Sequence, residues 1–183
     1  MRWFFSFLLL GAVAAPGWSD PQAFALREGN SSVRFRVGHL LSSAEGSFES
    51  SRGKIVMDPM DAQNDSVEWV VNVRSINTGN SSRDQHLLSA EYFNPDKFPT
   101  LQFLSHSIQK VDGEHLAVTG QFTLCGVTKT ITVPVSIDGS QFDCQFSILR
   151  SDYGFTAGSP LVGDQVDIDL HFLAQKSWFP EPK

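Results

Sequence analysis

The feature that most constrains this chain is an alternation of apolar and polar side chains, beginning near Phe24 and recurring almost to the end. Successive side chains of a β-strand point to opposite faces, so a period of two marks strands with one face buried. Val33, Phe35, Val37 and His39 share one face, while Arg34 and Arg36 take the other. Val67, Trp69, Val71 and Val73 oppose Glu68, Asn72 and Arg74 in the same way. The pattern returns at Leu101 and Phe103 and in residues 116–124, 131–137, 142–150 and 166–172. Turn residues separate these runs. Asp112-Gly113 and Asp138-Gly139 are hairpin signals, because glycine accepts the positive φ such turns require, and Asp58-Pro59 and Asn94-Pro95 mark breaks. Eight or so short strands with one apolar face predict an all-β antiparallel barrel or sandwich.

One segment does not alternate. Residues 80–93 carry Leu87, Leu88 and Ala90 at helical spacing, with Ser81 or Ser82 as the N-cap. They predict one short helix that closes or flanks an end of the sheet. No repeat or interdomain linker interrupts the rest, so residues 20–183 are expected to form one domain.

The N-terminus differs in kind. Arg2 precedes an almost wholly apolar run from Trp3 to Ala15, followed by Pro16, Gly17 and Ser19. This is the order of a secretory signal peptide over residues 1–19, with cleavage near Ser19/Asp20 or, alternatively, before Ala15. The run is short for a membrane span, which needs about 20 apolar residues. A periplasmic or secreted location is therefore expected. The net charge of −6 argues against a nucleic-acid partner, which calls for a basic footprint.

The inner face is rich in aromatics, within a total of 15 phenylalanines. A small barrel packed solid mixes large and small side chains, whereas one that holds a ligand lines a cavity with apolar walls and few polar groups. The pattern fits both.

Few residues suggest chemistry. His39 falls on the inward register, where it either meets a ligand head group or is satisfied within the core. Arg83, Asp84 and His86 form the densest polar cluster, but Asp84 and His86 are two apart and do not share a helix face. They read more simply as a network that seats the helix than as an acid/base pair. Arg150 falls on the inward register with Phe146 and Ile148, and there it needs Asp84, Asp152 or a ligand's polar end as a partner. Alternatively the register breaks and leaves Arg150 at the rim. No metal-ligand spacing and no G-x-S-x-G elbow is present, so neither a metal site nor a catalytic set is expected. Hairpins near Gly126 and Gly139 put Cys144 opposite about Val135, and Cys125 near Thr128. These sites are several residues apart along one strand, too far for a disulfide, so two free thiols are expected.

Taken together, these residues resemble the YceI family of periplasmic proteins from about Phe24 to Gln175. The resemblance rests on VRFRVGHL (33–40), GSFES with GKIVMDP, and SINTGNSSRDQHLLSAEYFNPDKFPTLQF (75–103). It continues in VTGQFTLCGVTKTITVPV (118–135), LRSDYGF (149–155) and LVGDQVDIDLHF (161–172). It implies an extended, eight-stranded, lipocalin-like antiparallel barrel with a helix beside it. It also implies binding of an isoprenoid chain, an isoprenoid quinone or a fatty-acid amide in a hydrophobic tunnel, with that lipid in place of any cofactor. The implied lining is Phe35, Val37, Leu87, Phe93, Phe103, Phe122 and Leu124, and the expected lipid contacts extend to His39, Phe48, Val71, Val73, Val118 and Phe146. His39, Arg83, Asp84, His86 and Arg150 are the implied head-group or structural polar residues. The chain departs from the family pattern at Arg27 and Asn30, where Asp and His are common, and at Cys125, a position often held by His.

A carrier or sequestering protein for a long-chain amphiphile is thus the leading expectation. A lipid-modifying enzyme using His39, Asp84 and His86 is one alternative, and an interaction module supporting a membrane redox partner is another. Transient contact with a membrane surface would suit loading. Exposed strand edges would allow a homodimer.

Overall fold

Alternation becomes a single antiparallel sheet in the computed structural model, which describes residues 22–26, 29, 31–39, 43–58, 61–155, 162–173 and 175–176. The expected signal peptide lies outside these residues, as do Arg27 and Asn30 and the side chain of His39. The strands are β1 (Gln22–Leu26), β2 (Ser31–His39), β3 (Ser43–Phe48), β4 (Ser51–Met57), β5 (Ser66–Asn72) and β6 (Ile76–Asn77). They continue with β7 (Thr100–Lys110), β8 (His115–Leu124), β9 (Val127–Asp138), β10 (Gln141–Leu149), β11 (Val162–Leu173) and β12 (Gln175–Lys176). Their order in the sheet is β12-β1-β4-β5-β7-β8-β9-β10-β11-β2-β3-β6.

Among the described residues the fold is all-β with one α-helix, but the sheet has 12 strands and not the eight expected. The difference comes from bends. β2 lies between β11 and β3, and β1 lies between β12 and β4, so β1 and β2 are flanked by the same two chain runs. β3 and β4 are likewise both paired to the run that holds β5 and β6. At this bend the Glu49 N–H donates to the Ser75 carbonyl (3.0 Å) and the Asn72 N–H to the Ser50 carbonyl (2.9 Å). The Asn72 side chain, accepting from the Arg74 N–H at 3.0 Å, sets the 3-10 turn that makes the corner. The result is a curled, lipocalin-like sheet with the buried face inside.

The inward residues are those the alternation marked. Leu116, Val118, Phe122 and Leu124 of β8 are buried, as are Leu101 and Phe103 of β7 and Phe142, Cys144 and Ile148 of β10. A bulge between Ser105 and Ser107 shifts the β7 register, and Ser105 Oγ accepts the Val67 N–H at 2.7 Å. Beside the bulge the backbone comes close: a Cβ at Gly120 would lie 2.5 Å from the Leu104 carbonyl oxygen and 2.6 Å from the Phe103 ring.

The helix α1 (Ser81–Leu87) is shorter than the expected 80–93. Its N-cap is Asn80, not Ser81 or Ser82, because the Asn80 side chain accepts the Arg83 N–H at 3.1 Å. Beyond Leu88 the chain turns repeatedly, with the Phe93 N–H returning to the Leu87 carbonyl at 3.0 Å and Asn94 at φ 45°.

Both cysteines are free thiols. Cys144 pairs with Val135 in the β9–β10 register, and Cys125 lies with Gly126 in the turn after Leu124, at φ 49° and 78°. Two consecutive positive φ values define the type I′ hairpin turn. Burial raises the Cys125 thiol to about 11. It raises Cys144 to about 12, with the Asp169 charge adding to the effect.

Two expectations follow from this packing. Gly120→Ala should lower stability by about 1–3 kcal/mol, because the backbone oxygen it meets cannot move aside; an unchanged urea midpoint would contradict the close approach. The thiolate is the reactive form. At pH 8 the folded chain should therefore react with a disulfide reagent roughly 100-fold more slowly than the denatured chain, about tenfold per pKa unit for Cys125. Equal rates in the two states would show that the thiols are not shielded.

Candidate functional site

The inward side chains do not meet at the centre. They enclose an apolar chamber of about 280 Å³, which opens at the end of the sheet that carries α1, and a smaller one of about 60 Å³ deeper in. The first is walled by Phe35 and Val37 of β2, by Phe48, Leu101, Phe122, Leu124 and Ile148, and by Val166 and Ile168 of β11. Segments outside the sheet complete it with Leu87, Tyr92, Phe93 and Phe155. The second lies among Ile55, Met57, Phe103, Val118, Phe142, Phe146 and Phe172, with the Cys144 thiol in its wall. Trp69 and Phe122 line both.

The irregular segment after α1 is held over the opening by aromatic edges and backbone bonds. Phe93 stands edge-on to Phe48 (5.9 Å, 89°) and to Phe155 (5.1 Å, 67°). Cys125 Sγ lies 3.7 Å from the Phe93 carbonyl oxygen and 3.8 Å from that of Tyr92. At the same turn, a Cβ on Gly126 would sit 2.6 Å from the Phe98 ring, so glycine serves both the φ and the contact.

Polar groups gather at the opening, each with a structural partner. Asp84 Oδ1 accepts from the Thr78 N–H (2.9 Å) and the Thr78 hydroxyl (2.6 Å). Arg83 reaches the same residue, donating to Thr78 Oγ1 at 2.8 Å and to its carbonyl at 2.7 Å. The two side chains thus seat the helix through Thr78, as a network between them and the loop. His86 points elsewhere, edge-on to the Tyr92 ring at 4.9 Å, and lines the first chamber with Thr78 and Arg83.

Arg150 is not on the strand register. β10 stops at Leu149, and Arg150 begins a 3-10 turn, Arg150–Tyr153, at the rim. Its guanidinium donates to the carbonyls of Gly163 (2.9 Å), Phe155 (3.1 Å) and Val162 (3.3 Å), so the hydrogen bonds run to main-chain oxygens and not to Asp84 or Asp152. Asp152 pairs with Lys129 at 2.7 Å, and Lys129 also lies over the Tyr153 ring. Asp164 takes the Ser151 hydroxyl (2.6 Å) and N–H (2.9 Å), which together with the nearby Arg150 charge hold its carboxyl below the usual range.

Among the expected lining residues, Phe35, Val37, Phe48, Leu87, Phe93, Phe122 and Leu124 face the first chamber, and Phe103, Val118 and Phe146 the second. Val71 and Val73 are both 0% exposed but line neither; they belong to the packed core, Val71 in β5 and Val73 in the 3-10 turn after it. His39 ends β2 opposite Val162, and its side chain lies outside the described residues. Trp69, Tyr92 and Phe155 were not among the expected contacts. Trp69 was legible from its inward register, whereas Tyr92 and Phe155 sit in irregular backbone that no periodicity reveals. Among the described residues no group of three His, Cys, Asp or Glu could hold a metal ion, and no helix is long and apolar enough to cross a membrane.

Comparison with known proteins agrees with this architecture. The YceI-like domain profile matches residues 24–174. Protein YceI of Salmonella arizonae is 38% identical over 147 residues, which cover 74% of this chain and 76% of the relative. The crystal structure of Burkholderia cenocepacia BcnA superposes with a TM-score of 0.71 at 27% identity, over 77% of this chain and 94% of that one. A polyisoprenoid binding domain from Saccharophagus degradans, implicated in plant cell wall breakdown, shares the fold with a TM-score of 0.68 at 15% identity, over 85% and 99% of the two chains. With the profile spanning nearly all of the described sheet, the chain belongs to the YceI family.

Proposed function

We propose that this protein binds a long-chain amphiphile, a polyisoprenoid, isoprenoid quinone or fatty-acid amide, inside the curled sheet. Its role is then transport, storage or sequestration of that lipid in the periplasm, after removal of residues 1–19. The observation that carries the reading is the pair of apolar chambers in line, about 280 Å³ and about 60 Å³, with polar groups only at the open end. Ligand sites of this kind are apolar clefts of roughly 300–1,000 Å³ with a few polar groups that fix orientation.

The energetics suit a lipid. Each 100 Å² of apolar surface removed from water contributes roughly 2.5 kcal/mol before the cost of association, so a tail in a dry cavity needs few polar contacts. Polyisoprenoid binding by the Saccharophagus degradans domain, which shares the fold, is consistent with such a tail. The polar side chains favour binding over turnover. Asp84 is engaged by Thr78 and His86 by Tyr92, and no side-chain hydrogen bond joins the two. An opening built from α1 and its following segment would load from a membrane surface.

Native mass spectrometry with organic extraction of the purified protein tests this reading. A co-purifying lipid is expected, and delipidated protein should take up a quinone or a fatty amide. Repeated preparations without lipid and without uptake would reject it. Leu87→Asp, which puts a charge into the wall of the first chamber, should weaken uptake by about tenfold or more while the sheet remains folded. Undiminished uptake by that variant would place the ligand elsewhere.

A further inference from the structure

The two chambers are unequal and share two aromatic walls, Trp69 and Phe122. Both are large and almost fully buried, at 5% and 2% exposure. Phe122 is fixed edge-on by Phe146 (6.2 Å, 83°) and by Tyr153 (5.5 Å, 79°). Trp69 is fixed edge-on to Phe172 (6.1 Å, 74°) and lies between Gly53 and Phe103 in the sheet. The Trp69 indole N–H is buried with no hydrogen-bond partner among the described residues. A buried donor without a partner is unfavourable, so the value of Trp69 lies in its bulk and not in a polar contact.

We infer that Trp69 and Phe122 form a partition that sets how long an apolar chain this protein accepts in its first chamber. The inference rests on the reading of the cavity as a lipid site and adds to it a basis for selecting among linear prenyl or alkyl amphiphiles. A tail that ends in the first chamber gains nothing from the second. A longer tail must pass between two rings that their neighbours hold in place, and packed interiors resist such displacement. Affinity therefore rises with chain length, breaks at the length that fills the first chamber, and rises again only once the partition is passed.

The test uses the chain from Asp20 onward, delipidated, titrated with geraniol, farnesol, geranylgeraniol and solanesol. Phe122→Leu and Trp69→Phe keep the wall apolar, and the second also removes the unpartnered N–H, so it keeps the site folded. In both variants the break should move to longer alcohols by one isoprene unit or more. In Leu104→Ala, on the exposed outer face, it should stay where it is. A further readout leaves both aromatics in place. With Trp178→Phe, Trp69 is the sole tryptophan of the chain from Asp20 onward; because it walls both chambers, its emission should respond to every alcohol that binds and change further once the break is passed. The inference is overturned by a break at one length in all variants, by an equal loss of every chain length in a folded variant, or by a Trp69 response that ignores length. Failure of the unsubstituted chain to bind any alcohol, quinone or fatty amide would instead reject the lipid site itself.

Discussion

At the corner where β3 passes into β4 and β5 into β6, two backbone hydrogen bonds carry the pairing round a bend. The Glu49 N–H meets the Ser75 carbonyl, and the Asn72 N–H meets the Ser50 carbonyl. A flat antiparallel sheet with one apolar face would need a second layer to cover it. A sheet that bends without losing its ladder covers itself. Every inward side chain then faces other inward side chains, and the interior volume is fixed by strand geometry before any side chain is chosen. Side chains decide only how much of that volume is filled. Here they fill it incompletely, which is why a cavity exists at all.

The two chambers differ in what lines them. The smaller chamber is lined by strand residues such as Phe142 and Phe172, whereas the larger one is completed by segments outside the ladder: α1, the turns after it and the stretch around Phe155. These segments are tied down by side-chain to main-chain bonds. Asp84 and Arg83 hold Thr78, and Arg150 holds three carbonyls around Gly163. The polar residues that looked most chemical in the sequence are thus fasteners of the cover. Segments with few ladder bonds are the ones that open at low cost, so these fastenings set how firmly the cover is held.

The faces of the strands were legible because a period of two has one meaning. Phe35, Val37, Phe122 and Leu124 were placed on the inner face from spacing alone, and Cys144 opposite Val135 from turn positions alone. Three things were not legible, for one physical reason each. The 12 strands arise from bends, and a corner keeps the alternation while breaking the ladder, so the run from Val67 to Arg74 reads as one strand although β5 ends at Asn72 and a 3-10 turn follows. The described hydrogen-bond partners of Arg150 are backbone carbonyls, which every residue carries and no sequence pattern marks. Tyr92 and Phe155 reach the chamber from irregular backbone, where direction is set by particular turns and not by period. The helix was recognised but overextended, because Leu88 and Ala90 keep helical spacing after the hydrogen bonding has stopped at a turn.

The same division explains how a site of this kind can select. At the open end, the donors of Arg83 and Arg150 that reach Thr78, Gly163, Phe155 and Val162 serve the fold. A head group arriving there competes with bonds that already hold the cover, so polar recognition at the rim comes at the expense of local order. Selectivity that costs no order must come from the walls, through the length, bulk and flexibility of the tail. A wall of packed aromatics discriminates by shape because a ring displaced by even a fraction of its width loses contacts on its far side as well as its near one. The chain's excess of phenylalanine on the inner face is then more than hydrophobic filling. It supplies rigid plates whose positions the neighbouring strands dictate, and the shape of what fits is set by the fold.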